Sequence, residues 1–212
     1  GLLLADGIPV VAADREISHP EVDAILVDNV VGAHAACRHL IDLGHRHIAH
    51  VAGRPRTKTG QDRACGYRWA LEEAGIPVDP SLVVWGDFSF DSGYLLTQRL
   101  LARCPRPTAI FAANDLMAFG AMQAAEEAGV RVPEELSVVG FDDIPMAGVM
   151  RPGLTTVSQP SYEMGRLALT MLLERINGQV SGIGRKHTFE PKLIIRSTTR
   201  RREPSWLSRS SS

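Results

Sequence analysis

"TAIFAANDLMAFGAMQAAEEAGVRVPEELSVVGFDD", residues 108–143, decides the fold. Its first six residues form a short apolar run bounded by polar residues, the pattern of a buried strand. Asp115–Ala128 then carries apolar residues at helical spacing and stops at Gly129, a residue suited to the left-handed cap of a helix. "LSVVGF" (136–141) is a second apolar run. Strand, helix and strand in this order make a βαβ unit, and a βαβ unit makes parallel sheet. The unit ends on adjacent acids, Asp142 and Asp143. Neighbouring carboxylates repel, and burying one is costly unless it is paired or hydrogen-bonded, so the end of this strand must offer them partners.

The same rhythm runs outward in both directions. "IPVVAAD" (8–14) and "DAILVD" (23–28) read as strands, followed by a helix over 31–43 that Gly44 closes. "HIAHVAG" (47–53) is a strand, "RPRTKTG" (54–60) a basic loop, and 61–74 a helix stopped by Gly75. "SLVVWG" (81–86) is a strand and 91–103 a helix. Beyond the acids come a strand in "LTTVSQ" (154–159), a long helix over 161–177 ended by Gly178, and a last strand in "KLIIRS" (192–197). The fold class is α/β. The Ser-rich, basic end, residues 201–212, is expected to be disordered.

Composition narrows the function. With 44 % hydrophobic and 22 % charged residues the 212-residue chain is an ordinary globular sequence. A formal net charge of -1 argues against a surface given over to nucleic acid or membrane. Cys37, Cys65 and Cys104 are odd in number and widely spaced, which suits buried thiols in a reducing compartment better than a disulfide framework or zinc site. His45 and His47 fall on one face of a strand but lack a third ligand, so no metal is assigned. No apolar run reaches the ~18 residues that a membrane helix needs. The opening "GLLLADGIPVVAAD" has no basic stretch of a signal peptide and reads as the end of a helix, so a preceding segment is expected to be missing.

In open α/β sheets ligands bind beyond the carboxyl ends of the strands. Those ends are marked here by Asp28 and Asn29, by the 54–60 loop and Arg63, by Phe88 and Phe90, by Asn114 and Asp115, by Asp142 and Asp143, and by Gln159. Acids and amides exchange hydrogen bonds with neighbouring hydroxyls, a guanidinium offers a planar fork of donors, and an aromatic ring covers the C–H face of a sugar. The set suits a compact polar ligand such as a sugar or nucleoside. It lacks a phosphate-binding GxxxxGK[ST] and a nucleophile–base pair, so an enzyme is not expected. Each residue has a plainer reading: Asn114 or Asp115 as a helix N-cap, Asp142 and Asp143 as caps of a short turn, Arg63 as a surface charge, and the two phenylalanines as core.

"LVDNVVGAHAACRHLIDLGHRHIAHVAG", Arg63 with Gly66, residues 107–143 and "RPGLTTVSQP" together resemble the effector-binding core of LacI–GalR-type transcriptional regulators, from about Ile8 to Arg200. The resemblance implies the periplasmic-binding-protein-like type I fold, two parallel-sheet subdomains around a ligand cleft, with the N-terminal subdomain incomplete and its sheet left with an uncovered edge and apolar face. The expected division is 1–53 with 160–180 and 54–159 with 181–200. It implies an effector, a sugar, bound by Arg63, Phe88, Asn114, Asp142 and Gln159, and by Asp28 and Asn29. Asp142 is expected to face the cleft with Arg63 across it, while Asp143 turns to backbone or solvent. Met146, Val149 and Met150 fall where such proteins dimerise. No cofactor is implied. The function expected is effector sensing by a cytoplasmic, homodimeric repressor whose operator contact is made by a headpiece absent from this chain. An exported sugar-binding protein of an ABC transporter is the alternative.

Overall fold

The computed structural model describes residues 7–17 and 19–202. In chain order these form Val11–Ala13 (β1), Asp23–Val27 (β2), Asn29–Asp42 (α1), Ile48–Ala52 (β3), Lys58–Glu73 (α2), Val83–Trp85 (β4), Phe90–Leu101 (α3) and Ala109–Ala112 (β5). Asp115–Glu127 (α4), Ser137–Asp142 (β6), Pro145–Val149 (α5), Thr155–Ser158 (β7), Ser161–Ile176 (α6), Lys186–Phe189 (β8) and Lys192–Ile194 (β9) follow. The alternation of strands and helices is the one expected. Strand β8 and the one-turn helix α5 are additions. The sequence "KHTF" of β8 is mostly exposed, so it shows no apolar run.

The chain divides into a smaller unit, residues 1–28 with 159–191, and a larger unit, 29–158 with 192–212. These bounds replace the expected ones. Strand β3 pairs with β4 and β5, and α1 packs on α2, which puts 29–53 in the larger unit. Strand β8 pairs with β2, which puts it in the smaller one.

In the larger unit six strands run in the order β4-β3-β5-β6-β7-β9, all parallel except the β7–β9 pair. Successive side chains of a strand point to opposite faces, and the two cores follow that rule. Ala49, Val51, Ile110, Ala112 and Val138 pack under α3 and α4. Ile48, Ala109, Phe111, Val139, Phe141 and Val157 pack under α1 and α2. Gly93 and Gly120 let α3 and α4 meet backbone to backbone: an added Cβ would lie 2.3 Å from the Met117 oxygen at one and 2.2 Å from the Phe90 oxygen at the other. Residues after β9 tie the starts of β6 and β7, with buried Thr198 donating to the Val138 oxygen at 2.7 Å and accepting the Thr155 N–H at 2.9 Å. Arg202 donates its backbone N–H to the Leu43 oxygen at 2.8 Å, so residues 201 and 202 are ordered against the unit and not part of a disordered tail; 203–212 lie outside the described residues.

The smaller unit is the parallel sheet β1-β2-β8 with α6 on it, its core built from Ile25, Val27, Met164 and Met171. Its exposed large apolar side chains include Tyr162, Leu169, Leu173 and Ile176 on α6, not residues of the three strands. A buried ionic knot ties its elements. Asp23, with no exposure, accepts from Arg175 at 2.7 and 2.9 Å, from the Arg185 guanidinium at 2.9 Å and from the Arg185 N–H at 2.7 Å.

Candidate ligand site

Helix α2 begins with a Thr57 cap, whose hydroxyl accepts the Gly60 N–H at 3.2 Å. Its buried positions are Gly60, Arg63, Ala64, Gly66, Tyr67, Ala70 and Leu71, so Arg63 lies on the inward stripe and is only 2 % exposed. A guanidinium removed from water needs partners for its donors. Nε donates to Asn29 Oδ1 at 2.8 Å, Nη1 donates to the Ala113 oxygen at 2.5 Å, and Nη2 meets Asp142 Oδ1 at 3.2 Å. The plane of the group lies 3.7 Å above the centre of the Phe141 ring, a cation–π contact. Arg63 is therefore not across a cleft from Asp142; it is the buried base on which Asp142 rests.

Strand β6 ends in a turn that runs through the left-handed region, with φ of 113° at Asp142 and 57° at Asp143. Few residues other than glycine sit there, and acids and asparagines are among those that do. Asp143 turns to Arg196, which follows β9, and pairs with it at 2.7 Å; its partner is thus a guanidinium and not backbone or solvent. Asp142 keeps 29 % of its side chain exposed while held by Arg63. The repulsion between adjacent acids is answered by one arginine each.

Asn114 is the N-cap of α4, its Oδ1 accepting the Met117 N–H at 2.9 Å. Its Nδ2 donates to the Phe88 oxygen at 3.0 Å. The capping reading is correct, and the amide does a second thing: it holds Phe88 in a left-handed conformation, φ 72°, which is unusual for a bulky residue. Gly53 makes room for the ring, since a Cβ there would lie 2.1 Å from it. Phe90 opens α3 and packs on the core beside it. Asn29, Arg63, Phe88, Asn114 and Asp142 are thus brought together at the carboxyl ends of β3, β5 and β6, in the larger unit. Asp28 and Gln159, both half-buried, belong to the smaller unit.

Two features of this end were not expected. Asp115, with no exposure, accepts the Ile144 N–H at 2.9 Å and the Thr156 hydroxyl at 2.5 Å. Burial pushes its carboxyl up to about 7 against the pull of those two bonds, and the charges of Asp142 and Asp143 push the same way. The second is the ordering of the dimer candidates on and beside α5. Met146 and Val149 are 51 % and 70 % exposed, whereas Met150 is half-buried and packs on the core. Among the described residues no group of three or more His, Cys, Asp or Glu is placed to hold a metal ion, and no helix is long and apolar enough to cross a membrane.

Residues 37–199 match the family model described as periplasmic binding protein-like domain. The chain is 38 % identical over 193 residues to the ribose operon repressor of Haemophilus influenzae, covering 91 % of this chain and 58 % of that protein. It is 39 % identical over 192 residues to the HTH-type transcriptional repressor CytR of Escherichia coli, covering 91 % of this chain and 56 % of that protein. Among solved structures, a complex of the transcriptional regulator CelR with cellobiose superposes with a TM-score of 0.87 at 38 % identity, over 93 % of this chain and 61 % of that one. The chain thus spans a little more than half the length of the curated relatives it matches. These relatives are regulators, which does not favour the exported binding protein. On its fold, its motifs and these similarities, the chain belongs to the periplasmic-binding-protein-like effector domains of the LacI family.

Proposed function

We propose that this domain binds a sugar through Asp142, and that in the regulator of which it forms the sensing part the bound sugar changes operator affinity. The observation that carries the reading is the Arg63–Asp142 pair. A buried guanidinium holds a partly open carboxylate at the carboxyl end of a parallel sheet, where ligands of such folds bind. The Asp142 carboxylate accepts hydrogen bonds from sugar hydroxyls. The Phe88 ring lies against the C–H face of the sugar, Asn114 sets the Phe88 backbone, and Arg63 fixes Asp142 while Asn29 fixes Arg63. The domain acts by binding and not by catalysis, and in a cytoplasmic protein.

The test is a thermal-shift screen of this chain with ribose and cellobiose. A rise in the unfolding temperature with either, lost in Asp142→Ala, is the expected result; no shift with either sugar, or a shift unchanged in that variant, would count against the reading. Dimerisation through α5 is part of the same reading. Met146 and Val149 expose apolar surface on a one-turn helix, and such surface is commonly covered by a partner. Val149→Asp is expected to convert dimers to monomers in light scattering.

A further inference from the structure

Three carboxylates, Asp115, Asp142 and Asp143, meet two guanidiniums, Arg63 and Arg196, at the end of β6. Arg63 pairs with Asp142 and Arg196 with Asp143. Asp115 is near enough to feel the charges of both acids and holds the Ile144 N–H on one oxygen and the Thr156 hydroxyl on the other. Space there is tight: a Cβ on Gly140 would come within 2.3 Å of its Oδ1. Its anchor point, Ile144, follows the acid pair and caps α5, so one buried carboxylate fixes the residue that links the turn to the exposed helix.

We propose that Asp115 is a positioning residue for the Asp142–Asp143–Ile144 turn, and that it takes up a proton when a ligand covers Asp142. The proposal rests on the reading of Asp142 as the ligand's acceptor. The two partners of Asp115 differ in a way that suits a proton. An N–H can only donate, so Oδ2 must remain an acceptor for Ile144. A hydroxyl both donates and accepts, so when Oδ1 takes a proton from solvent the Thr156 hydroxyl turns its own hydrogen away from Oδ1 and accepts the new O–H. The turn therefore survives protonation. What changes is charge: with Asp115 neutral, two acids face two guanidiniums. A ligand over Asp142 displaces water that screens these acids from one another, which raises their repulsion and favours the neutral form of Asp115. The pull of burial already places its carboxyl near 7, close enough for a modest push to move it. Binding then takes up a fraction of a proton, and affinity falls as the pH rises through about 7.

Asparagine mimics the protonated residue, because its carbonyl accepts from Ile144 and its amide donates to Thr156. Alanine removes both. The experiment is calorimetric titration of the chain with ribose and with cellobiose at pH 6 and pH 8, on wild type, Asp115→Asn and Asp115→Ala. A carbon-13 titration of the Asp115 carboxyl and thermal unfolding against pH, both without ligand, accompany it. Wild type is expected to bind several-fold more weakly at pH 8 than at pH 6, about fivefold if binding moves the carboxyl by one unit. Asp115→Asn is expected to hold the pH 6 affinity at both values, and Asp115→Ala to bind weakly at both. Without ligand, the stability that Asp115 contributes is fully present below its ordinary value of 3.8 and lost as the pH rises through about 7. Asp115→Asn should therefore melt above wild type at pH 8, by a margin that shrinks towards pH 4. Equal pH dependence of affinity in wild type and Asp115→Asn overturns the coupling, as does an affinity that is pH-independent in both. No heat from either sugar at either pH contradicts the ligand reading and the coupling with it. The carboxyl titration still decides the proton: a midpoint below pH 5 overturns that part by itself.

Discussion

The smaller unit surrounds Asp23 with the guanidiniums of Arg175 and Arg185 and leaves none of it exposed; the larger unit sets three carboxylates against two guanidiniums and leaves Asp142 and Asp143 partly open. The chemistry is the same, and the balance is opposite. Burial pushes the Asp23 carboxyl up, but the hydrogen bonds from Arg175 and Arg185 outweigh it and hold the group well below the usual range. Burial pushes Asp115 up to about 7, and no guanidinium answers it. Arg185 also reaches Glu174, which extends the Asp23 knot to a second acid. The knot joins the start of β2, the last turn of α6 and the approach to β8. The larger unit keeps an acid in excess and leaves Asp142 and Asp143 partly exposed, which suits the proposed binding of a hydrogen-bonding ligand.

Substitutions sharpen that contrast, starting with the largest effect. Asp23→Ala leaves Arg175, only 8 % exposed, without its carboxylate, and should cost the smaller unit about 3 kcal/mol in chemical denaturation while leaving ligand affinity per folded molecule unchanged. Equal loss in both units, or none, would dissolve the distinction. Arg63→Ala is expected to affect both properties, because three bonds to Asn29, Ala113 and Asp142 are lost together. Affinity should fall by at least a decade, at least as much as in Asp142→Ala, and stability by about 2 kcal/mol, read by calorimetry and unfolding of the same preparation. Asn114→Asp keeps the N-cap acceptor for Met117 but loses the donor to the Phe88 oxygen and adds a carboxylate. Stability is expected to change by less than about 1 kcal/mol and affinity by a few-fold. A larger loss of stability than of affinity would return Asn114 to a capping role alone.

Much of this was written in the chain. Apolar runs placed the strands, glycines closed the helices, and polar residues at carboxyl ends marked the proposed site. The division between units was not legible, because the chain passes from β2 to α1 through "VDN" with no change of composition. Strand β8 was hidden because an exposed strand carries no apolar signature. Arg63 was legible in position but not in burial. Its phase with Gly60, Ala64, Tyr67 and Ala70 was the available signal, a charge in the inward register of a helix. Asp115 looked like a cap because its acceptor role depends on Thr156, forty-one residues away. Asp143 needed Arg196, fifty-three residues on, to find its partner. Pairings between distant residues follow from the sheet order, which a single sequence does not display.

The central claim is that the acid pair divides its labour, Asp142 for the ligand and Asp143 for the fold. Calorimetric titration with ribose and cellobiose of wild type, Asp142→Ala and Asp143→Ala tests it most directly. A hydrogen bond to a charged acceptor contributes about 1.5–3 kcal/mol, so Asp142→Ala should weaken binding by about one to two decades. Asp143→Ala should weaken it clearly less and lower the unfolding temperature, because Arg196 loses its partner. Equal and negligible losses of affinity at the two positions would contradict the account and leave the pair as a structural turn.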